Sequence, residues 1–373
     1  MMAPKVLILT NSLTGIYSFR KEVIQAIIED GYSITICCPS LNHKAVDFFI
    51  QLGCDIRFVD IEKRGTNPIS DLLLIKKYKK IISDIKPIAV LTYSIKPNIY
   101  GGIASRLCKV PHLANITGLG DAIENPGLLQ TITITLYRIG LKKTRTVFCQ
   151  NQTIYEFCRH NRIGTNWFLL PGSGVNTLQH VYQPYPQEGE TIKFIYMGRF
   201  MKDKGTDELI DTIRGIKEKY SNKVEFVLLG SRYPENDFSY ENNIKELQQQ
   251  GILKWCGVAS DVRQYLKDAW CSILPSYHEG MSNVNLESAA NGRPVITTNV
   301  PGCKETVDDG LTGYLVEAKS SKSLQDAVER FINLPYDQKV LMGQNARKKI
   351  EQEFDRQIVV KAYLEEIKRV NNV

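Results

Sequence analysis

The chain has 373 residues, 43% hydrophobic and 23% charged, with a formal net charge of +7. Those proportions exclude a disordered chain, and the length leaves room for two or three domains. Nine cysteines form no C-x-x-C pair and have no histidine-rich neighbourhood, which argues against a zinc site or a disulfide framework and for a reducing compartment.

The first element is the apolar run 5–10, of the kind found in buried parallel strands. It is too short and too near the start for a signal h-region, and no later window reaches the roughly 18 apolar residues of a membrane span. Residues 11–15 (Asn-Ser-Leu-Thr-Gly) read as a turn, and the spacing of Phe19, Val23, Ile24, Ile27 and Ile28 predicts a helix ended by Asp30-Gly31. Strands follow at 32–38, 56–59, 88–92, 112–115, 147–149 and 167–170. Between them lie helices at 45–52, 68–85, 99–107, 128–141 and 153–160. The helix at 68–85 carries Lys76, Lys77, Lys79 and Lys80 on its wet face, and that at 128–141 is apolar and runs into Lys142-Lys143.

Residues 172–190 are rich in Pro and Gly and lack apolar periodicity, so a linker is placed there. The alternation then restarts. Strands are expected at 194–197, 224–229, 253–255, 271–274, 294–297 and 314–316. Helices are expected at 206–220, 240–250, 262–268, 321–333, 336–352 and 355–370, with another that holds Glu287 and is closed by Asn291-Gly292. Strand–helix alternation in both halves predicts α/β architecture with parallel, doubly wound sheets. Neither half has G-x-G-x-x-G after its first strand and there is no Walker A sequence, so dinucleotide and P-loop readings lose their support.

Two stretches carry candidate chemistry. Gly198-Arg199-Phe200-Met201-Lys202-Asp203-Lys204-Gly205 follows the first strand of the second half, where Arg199 can bind phosphate bidentately and Lys204 adds a point charge. Pro275 to Glu287 joins a strand to a helix, whose first N–H groups have no internal partners and suit an anion. It holds two acids eight residues apart, Glu279 and Glu287. Alone, these could be a glycosidase pair or solvated side chains. The positive charge is uneven: residues 1–170 hold 21 Lys and Arg against 12 Asp and Glu, the remainder 26 against 28. The first half can therefore face lipid headgroups, a phosphorylated acceptor or nucleic acid, or be merely basic. No interleaving of aromatic and basic residues points to a nucleic-acid module, so none is expected as partner.

Gly198-Arg199…Lys204-Gly205, Glu279-x₇-Glu287 and Pro301-Gly302-x-x-Glu305, in that order, resemble the retaining glycosyltransferases of family 4, which have the GT-B fold. In the first half, the run Tyr93-Ser94-Ile95-Lys96-Pro97-Asn98-Ile99-Tyr100-Gly101-Gly102 resembles the branch that builds bacterial capsule, O-antigen and other lipid-linked glycans, as does Thr117-Gly118-Leu119-Gly120. The resemblance implies two Rossmann-like domains facing a central cleft. Residues 1–171 would bind acceptor, 172–190 link, 191–354 bind a nucleotide sugar, and 355–373 cross back to the first domain.

It also implies site roles. Arg199 and Lys204 would neutralise the donor diphosphate at the Gly198 turn. Glu279, with the backbone at Gly280, Met281 and Ser282, would hold the transferred sugar. Glu287 would bind the ribose, Val258 flank the base, and Gly15 approach the donor phosphates from the first half. A doubled glycine common in the family is missing from the first turn and a histidine from the loop 116–121, which leaves Lys96 and Asp121 as candidates in the first half. The implied activity is retaining transfer of a hexosamine-type sugar, N-acetylgalactosamine in α-1,3 linkage, from a UDP-sugar to an undecaprenyl-diphosphate-linked acceptor. It would need no metal and no cofactor, in the cytoplasm or peripherally on the inner face of the plasma membrane. The oligomeric state is left open. The rival readings are a UDP-sugar epimerase of similar fold and a non-catalytic basic nucleic-acid-binding protein.

Overall fold

The continuous apolar runs become the inner strands of two parallel sheets, buried on both faces. The computed structural model describes residues 3–39, 43–61, 68–120, 123, 127–232 and 238–371. Two compact units emerge, one of Met1–Ser173 with Arg356–Val373, the other of Gly174–Asp355.

The first unit holds β1 (Lys5–Thr10), β2 (Ser33–Cys38), β3 (Asp55–Phe58), β4 (Ala89–Tyr93), β5 (His112–Ile116), β6 (Thr146–Cys149) and β7 (Trp167–Leu169). They form a seven-stranded sheet in the order β3-β2-β1-β4-β5-β6-β7. Its helices are α1 (Leu13–Glu29), α2 (His43–Gln51), α3 (Pro68–Ile85), α4 (Gly102–Leu107), α5 (Leu128–Gly140) and α6 (Gln152–His160). The second unit repeats the plan with β8 (Ile192–Met197), β9 (Val224–Leu229), β10 (Lys254–Trp255), β11 (Cys271–Leu274), β12 (Val295–Thr298) and β13 (Gly313–Val316). Its six-stranded order is β10-β9-β8-β11-β12-β13. Around that sheet lie α7 (Thr206–Tyr220), α8 (Ser239–Gln249), α9 (Arg263–Leu266), α10 (Asn283–Ala290), α11 (Ser321–Asn333) and α12 (Tyr336–Lys349). Strand order reverses beside β1 in one sheet and beside β8 in the other. At such points neighbouring loops diverge and leave a crevice at the strand C-termini.

Helix α13 (Arg356–Asn371) belongs to the first unit. Val359, Tyr363 and Ile367 are fully buried in the core formed with β1, β4 and α1. The Tyr363 ring stacks on Phe148 with centroids 4.6 Å apart, and its hydroxyl donates to Asn115. Arg356 pairs with Glu22 at 2.6 Å. Arg20, 2% exposed, lies with its guanidinium 5.6 Å from the Tyr93 ring centroid and 5.9 Å from that of Tyr363.

Three local differences from the sequence reading have physical reasons. Of residues 172–190, expected to link, those from Gly174 onward are packed along the second unit. Val175 N–H donates to Phe354 O (2.9 Å), Tyr185 hydroxyl to Trp270 O (2.6 Å), and the buried Arg293 guanidinium to Pro184 O (2.8 Å). Aromatic and cationic side chains supply the adhesion that apolar periodicity would have signalled. Secondly, α4 is preceded by a wider turn, Pro97–Gly101, in which Asn98 turns inward to donate to Asn115 O at 2.8 Å. Thirdly, α1 begins at Leu13, so Gly15 lies inside its first turn, with Ser12 as the cap. Both α3 and α5 pack against the Pro97–Gly101 turn. Outward they expose Ile69, Leu72 and Leu73 on α3 and Leu128, Leu129, Ile132 and Ile139 on α5. Among the described residues no helix is long and apolar enough to cross a membrane.

His112 is 3% exposed and shares hydrogen bonds of 2.8 Å with the Thr92 and Thr144 hydroxyls. Thr92 gives its single proton to Asn98 Oδ1 (2.6 Å), so His112 Nε2 is the protonated nitrogen and Nδ1 accepts from Thr144. Burial pushes the imidazole pKa down to about 3. A folded value below the unfolded one of about 6.5 means that the unfolded chain takes up the proton first. This contribution to stability is therefore complete above about pH 6.5 and is lost as pH falls towards 3. Urea unfolding at a series of pH values checks it. The wild type should lose stability more steeply from pH 6.5 to 4 than His112→Gln, and parallel curves would show that His112 is not the group responsible.

Candidate functional site

The second unit's strand-order reversal brings the ends of β8 and β11 side by side, with Ser272 paired to Ile195. From β8 the chain passes through Gly198 and Arg199; from β11 it passes through Pro275 to Ser282 before α10. Tyr196, fully buried at the end of β8, sends its hydroxyl to Arg199 O at 2.9 Å and so fixes the turn that carries the arginine. Arg199 itself is exposed.

The turn Lys202–Lys204 lies directly against the Pro275 loop. Gly205 makes that approach possible: its φ is +67°, and a Cβ there would stand 2.1 Å from Pro275 O. The loops are then stitched together. Asp203 O accepts from Tyr277 N–H (2.8 Å) and from Ser276 Oγ (3.2 Å). Tyr277 hydroxyl lies 2.8 and 2.9 Å from the two Glu208 carboxylate oxygens at the start of α7. The stitching sets Lys204 ammonium against Glu279 carboxylate as an ion pair, with side chains 19% and 18% exposed.

A third loop supports the second. Glu279 N–H donates to Pro301 O (3.3 Å) and Ser282 N–H to Gly302 O (2.7 Å). Gly302 has φ +81°, and a Cβ on it would stand 2.2 Å from Glu279 O. Glu305 holds that turn by accepting from Gly302 N–H at 2.7 Å. Beneath lies Cys303, wholly buried. Burial, reinforced by the Glu279 charge, pushes its thiol up to about 12. Ser282 then caps α10, its hydroxyl accepting from Asn285 N–H at 3.2 Å.

The other expected site residues distribute as follows. Glu287 is half-buried in the second turn of α10, and Gly280 is half-buried in the loop. Met281 is 7% exposed, its side chain part of a core cluster with Leu286 and Val175, so only its backbone can face a ligand. Val258 is 74% exposed, just after Gly257, whose carbonyl accepts from Gly230 N–H at 2.7 Å. In the first unit Gly15 has its N–H committed to Ser12 Oγ at 3.1 Å. Lys96 is paired with Asp71 at 3.0 Å, and Tyr100 hydroxyl bonds the other carboxylate oxygen at 2.6 Å. Asp121 lies outside the described residues.

The structure thus brings Lys204 and Glu279 together, with Arg199 on the adjoining turn. The positioning residues Tyr196, Tyr277 and Glu208 were not anticipated from sequence. Tyr277 and Glu208 stand 69 positions apart with no local pattern linking them. Chemically, a cation, a carboxylate and a capped helix start at adjacent strand ends can bind a ligand bearing both phosphate and hydroxyl groups. Among the described residues no three His, Cys, Asp or Glu gather as a metal-holding group.

Comparison with known proteins shows the family. The family described as Glycosyl transferases group 1 matches residues 182–349, and Glycosyl transferase 4-like matches residues 5–151. The Staphylococcus aureus capsular polysaccharide biosynthesis glycosyltransferase CapM is 35% identical over 331 residues, 83% of this chain and 84% of that protein. The N,N'-diacetylbacillosaminyl-diphospho-undecaprenol alpha-1,3-N-acetylgalactosaminyltransferase of Campylobacter jejuni is 22% identical over 382 residues, 97% of this chain and 98% of that one. Among solved structures, Anabaena HepE in complex with UDP superposes with a TM-score of 0.79 at 15% identity, covering 98% of this chain and all of that one (100%). With its two Rossmann-like units and the loops gathered at the end of β8, the chain belongs to the family 4 glycosyltransferases of GT-B fold.

Proposed function

We propose that this glycosyltransferase moves a hexosamine-type sugar, N-acetylgalactosamine in α-1,3 linkage, from a UDP-sugar to an undecaprenyl-diphosphate-linked acceptor in bacterial surface-glycan synthesis, with retention and without a metal. The observation that carries the reading is the Lys204–Glu279 pair on stitched loops beside Arg199 and the capped start of α10. The sugar and acceptor follow the named activity of the Campylobacter relative, and the nucleotide follows the UDP in the HepE complex.

In the reaction the bond between the anomeric carbon and the diphosphate oxygen breaks, and negative charge grows on the departing diphosphate. Lys204, Arg199 and the N–H groups at the start of α10 stabilise that charge through fixed cations and dipoles. Glu279 orients Lys204 and accepts from hydroxyls of the transferred sugar, while Glu287 serves the ribose. The acceptor proton passes to a donor phosphate oxygen as the acceptor hydroxyl attacks from the same face. The first unit receives the acceptor and rests on an anionic membrane through α3 and α5, whose exposed Ile69, Leu72, Leu128 and Ile132 are flanked by Lys76, Lys79, Lys80 and Lys142.

A screen of UDP- and GDP-sugars with a synthetic undecaprenyl-diphosphate-linked sugar tests the assignment. UDP release should depend on acceptor and be fastest with UDP-N-acetylgalactosamine, and an epimerised donor without acceptor would overturn it. Arg199→Ala and Lys204→Ala should each lower turnover by about 100-fold or more, the cost of removing one transition-state donor. Near-wild-type rates in either would remove that residue from the mechanism. Addition of EDTA should leave turnover unchanged; its abolition would sink the metal-free part. The protein should co-sediment with anionic but not neutral vesicles at low salt, and Lys76→Glu/Lys79→Glu should weaken that binding.

A further inference from the structure

We propose that the first unit carries a second anion site, at the N-terminal end of its sheet, which takes a phosphate or diphosphate group. It is a concavity of about 600 Å³ lined by Lys142, Lys143, Arg145, Asn166, Glu366 and Arg369, among others. Lys142 to Arg145 immediately precede β6, and Asn166 immediately precedes β7. The site is therefore at the opposite end of the strands from Lys96 and Ser94, which follow β4.

The cations sit on a fixed backbone. Thr144, 4% exposed, is locked to His112 through its hydroxyl at 2.8 Å. Arg145 N–H donates to His112 O (2.8 Å), and Asn166 Nδ2 donates to Arg145 O (3.0 Å). Buried Thr144 thus points inward while the flanking Lys143 and Arg145 point outward, both exposed. On α13, Glu366 is 3% exposed and is already committed: one carboxylate oxygen accepts from Thr146 Oγ1 at 2.6 Å and the other from Arg369 at 2.5 Å. It neutralises and orients Arg369 and leaves the other three cations uncompensated. Among the described residues no carboxylate lies within ion-pair distance of Lys142, Lys143 or Arg145.

The carbonyls at the end of α5 would account for one lysine after Leu141. They do not account for Arg145, which lies beyond the turn; Arg369 comes from another helix and is held there by Glu366. Three uncompensated cations on one fixed turn, facing a concavity that the Glu366-held Arg369 also lines, match a compact multivalent anion, with the Arg145 guanidinium fork suited to phosphate oxygens. The shared chemistry is a phosphate group, either free or in a lipid headgroup.

The experiment uses the full chain in an Arg199→Ala/Lys204→Ala background, so that the donor site does not compete for the probe. Inorganic pyrophosphate is titrated calorimetrically at low salt. In parallel, phosphatidylcholine vesicles with and without phosphatidylglycerol are tested by flotation. Lys142→Glu and Arg145→Glu, both surface changes, are compared with Lys254→Glu in the second unit. For a free phosphate, saturable pyrophosphate binding should weaken at least about tenfold in each pocket variant and not in the Lys254 control. For a headgroup, phosphatidylglycerol-dependent flotation should fall in Arg145→Glu, which lies outside the α3–α5 membrane surface, and persist in the control. Equal behaviour of the pocket variants and the control in both arms overturns the site. Because the background lacks both donor-site cations, that result leaves the transfer reaction untouched.

Discussion

The second unit's site depends on backbone meeting backbone with nothing between. At Gly205 and Gly302 a side chain would collide with a carbonyl of the Pro275–Ser282 loop. Those two approaches, one from each flank, hold that loop between the 202–205 turn and the 301–305 turn. A methyl group at either place would force the loops apart, and no rotamer change could absorb it because the obstacle is main chain. The ion pair, the cap of α10 and the burial of Cys303 all follow from this three-loop contact.

Within that frame the Lys204–Glu279 pair is only partly withdrawn from water. Its value lies less in stability, which desolvation largely offsets, than in geometry. Each charge keeps the other in one place. Tyr196, Tyr277 and Glu208 act one step further out. They hold main chain and loop starts, so the charged groups stand on fixed backbone.

The sheets were legible because strands buried on both faces write near-continuous apolar runs. Runs such as Val6–Leu9 and Cys271–Leu274 can hardly be read otherwise. The loops that carry Arg199, Lys204 and Glu279 were legible because they follow such runs. Pairings were not. Lys96 and Asp71 are 25 residues apart, and Tyr277 finds Glu208 across 69. Such partners are chosen by how loops fold over one another, which periodicity does not encode. The start of α1 was misread because Leu13-Thr14-Gly15 has turn-like composition, whereas Ser12 supplies the cap that lets the helix begin there. Residues 174–190 looked like a linker because their adhesion comes from scattered tyrosines, not from a repeating apolar face.

The placement of α13 gives the two units different histories. Everything the second unit needs is contiguous, Gly174–Asp355. The first unit needs a helix that is synthesised only after the second has been made. While the ribosome is still adding residues 174–355, the groove that will receive Val359, Tyr363 and Ile367 stays open on a sheet that is otherwise finished. The nascent chain thus carries an exposed apolar slot, and the second unit can close before the first.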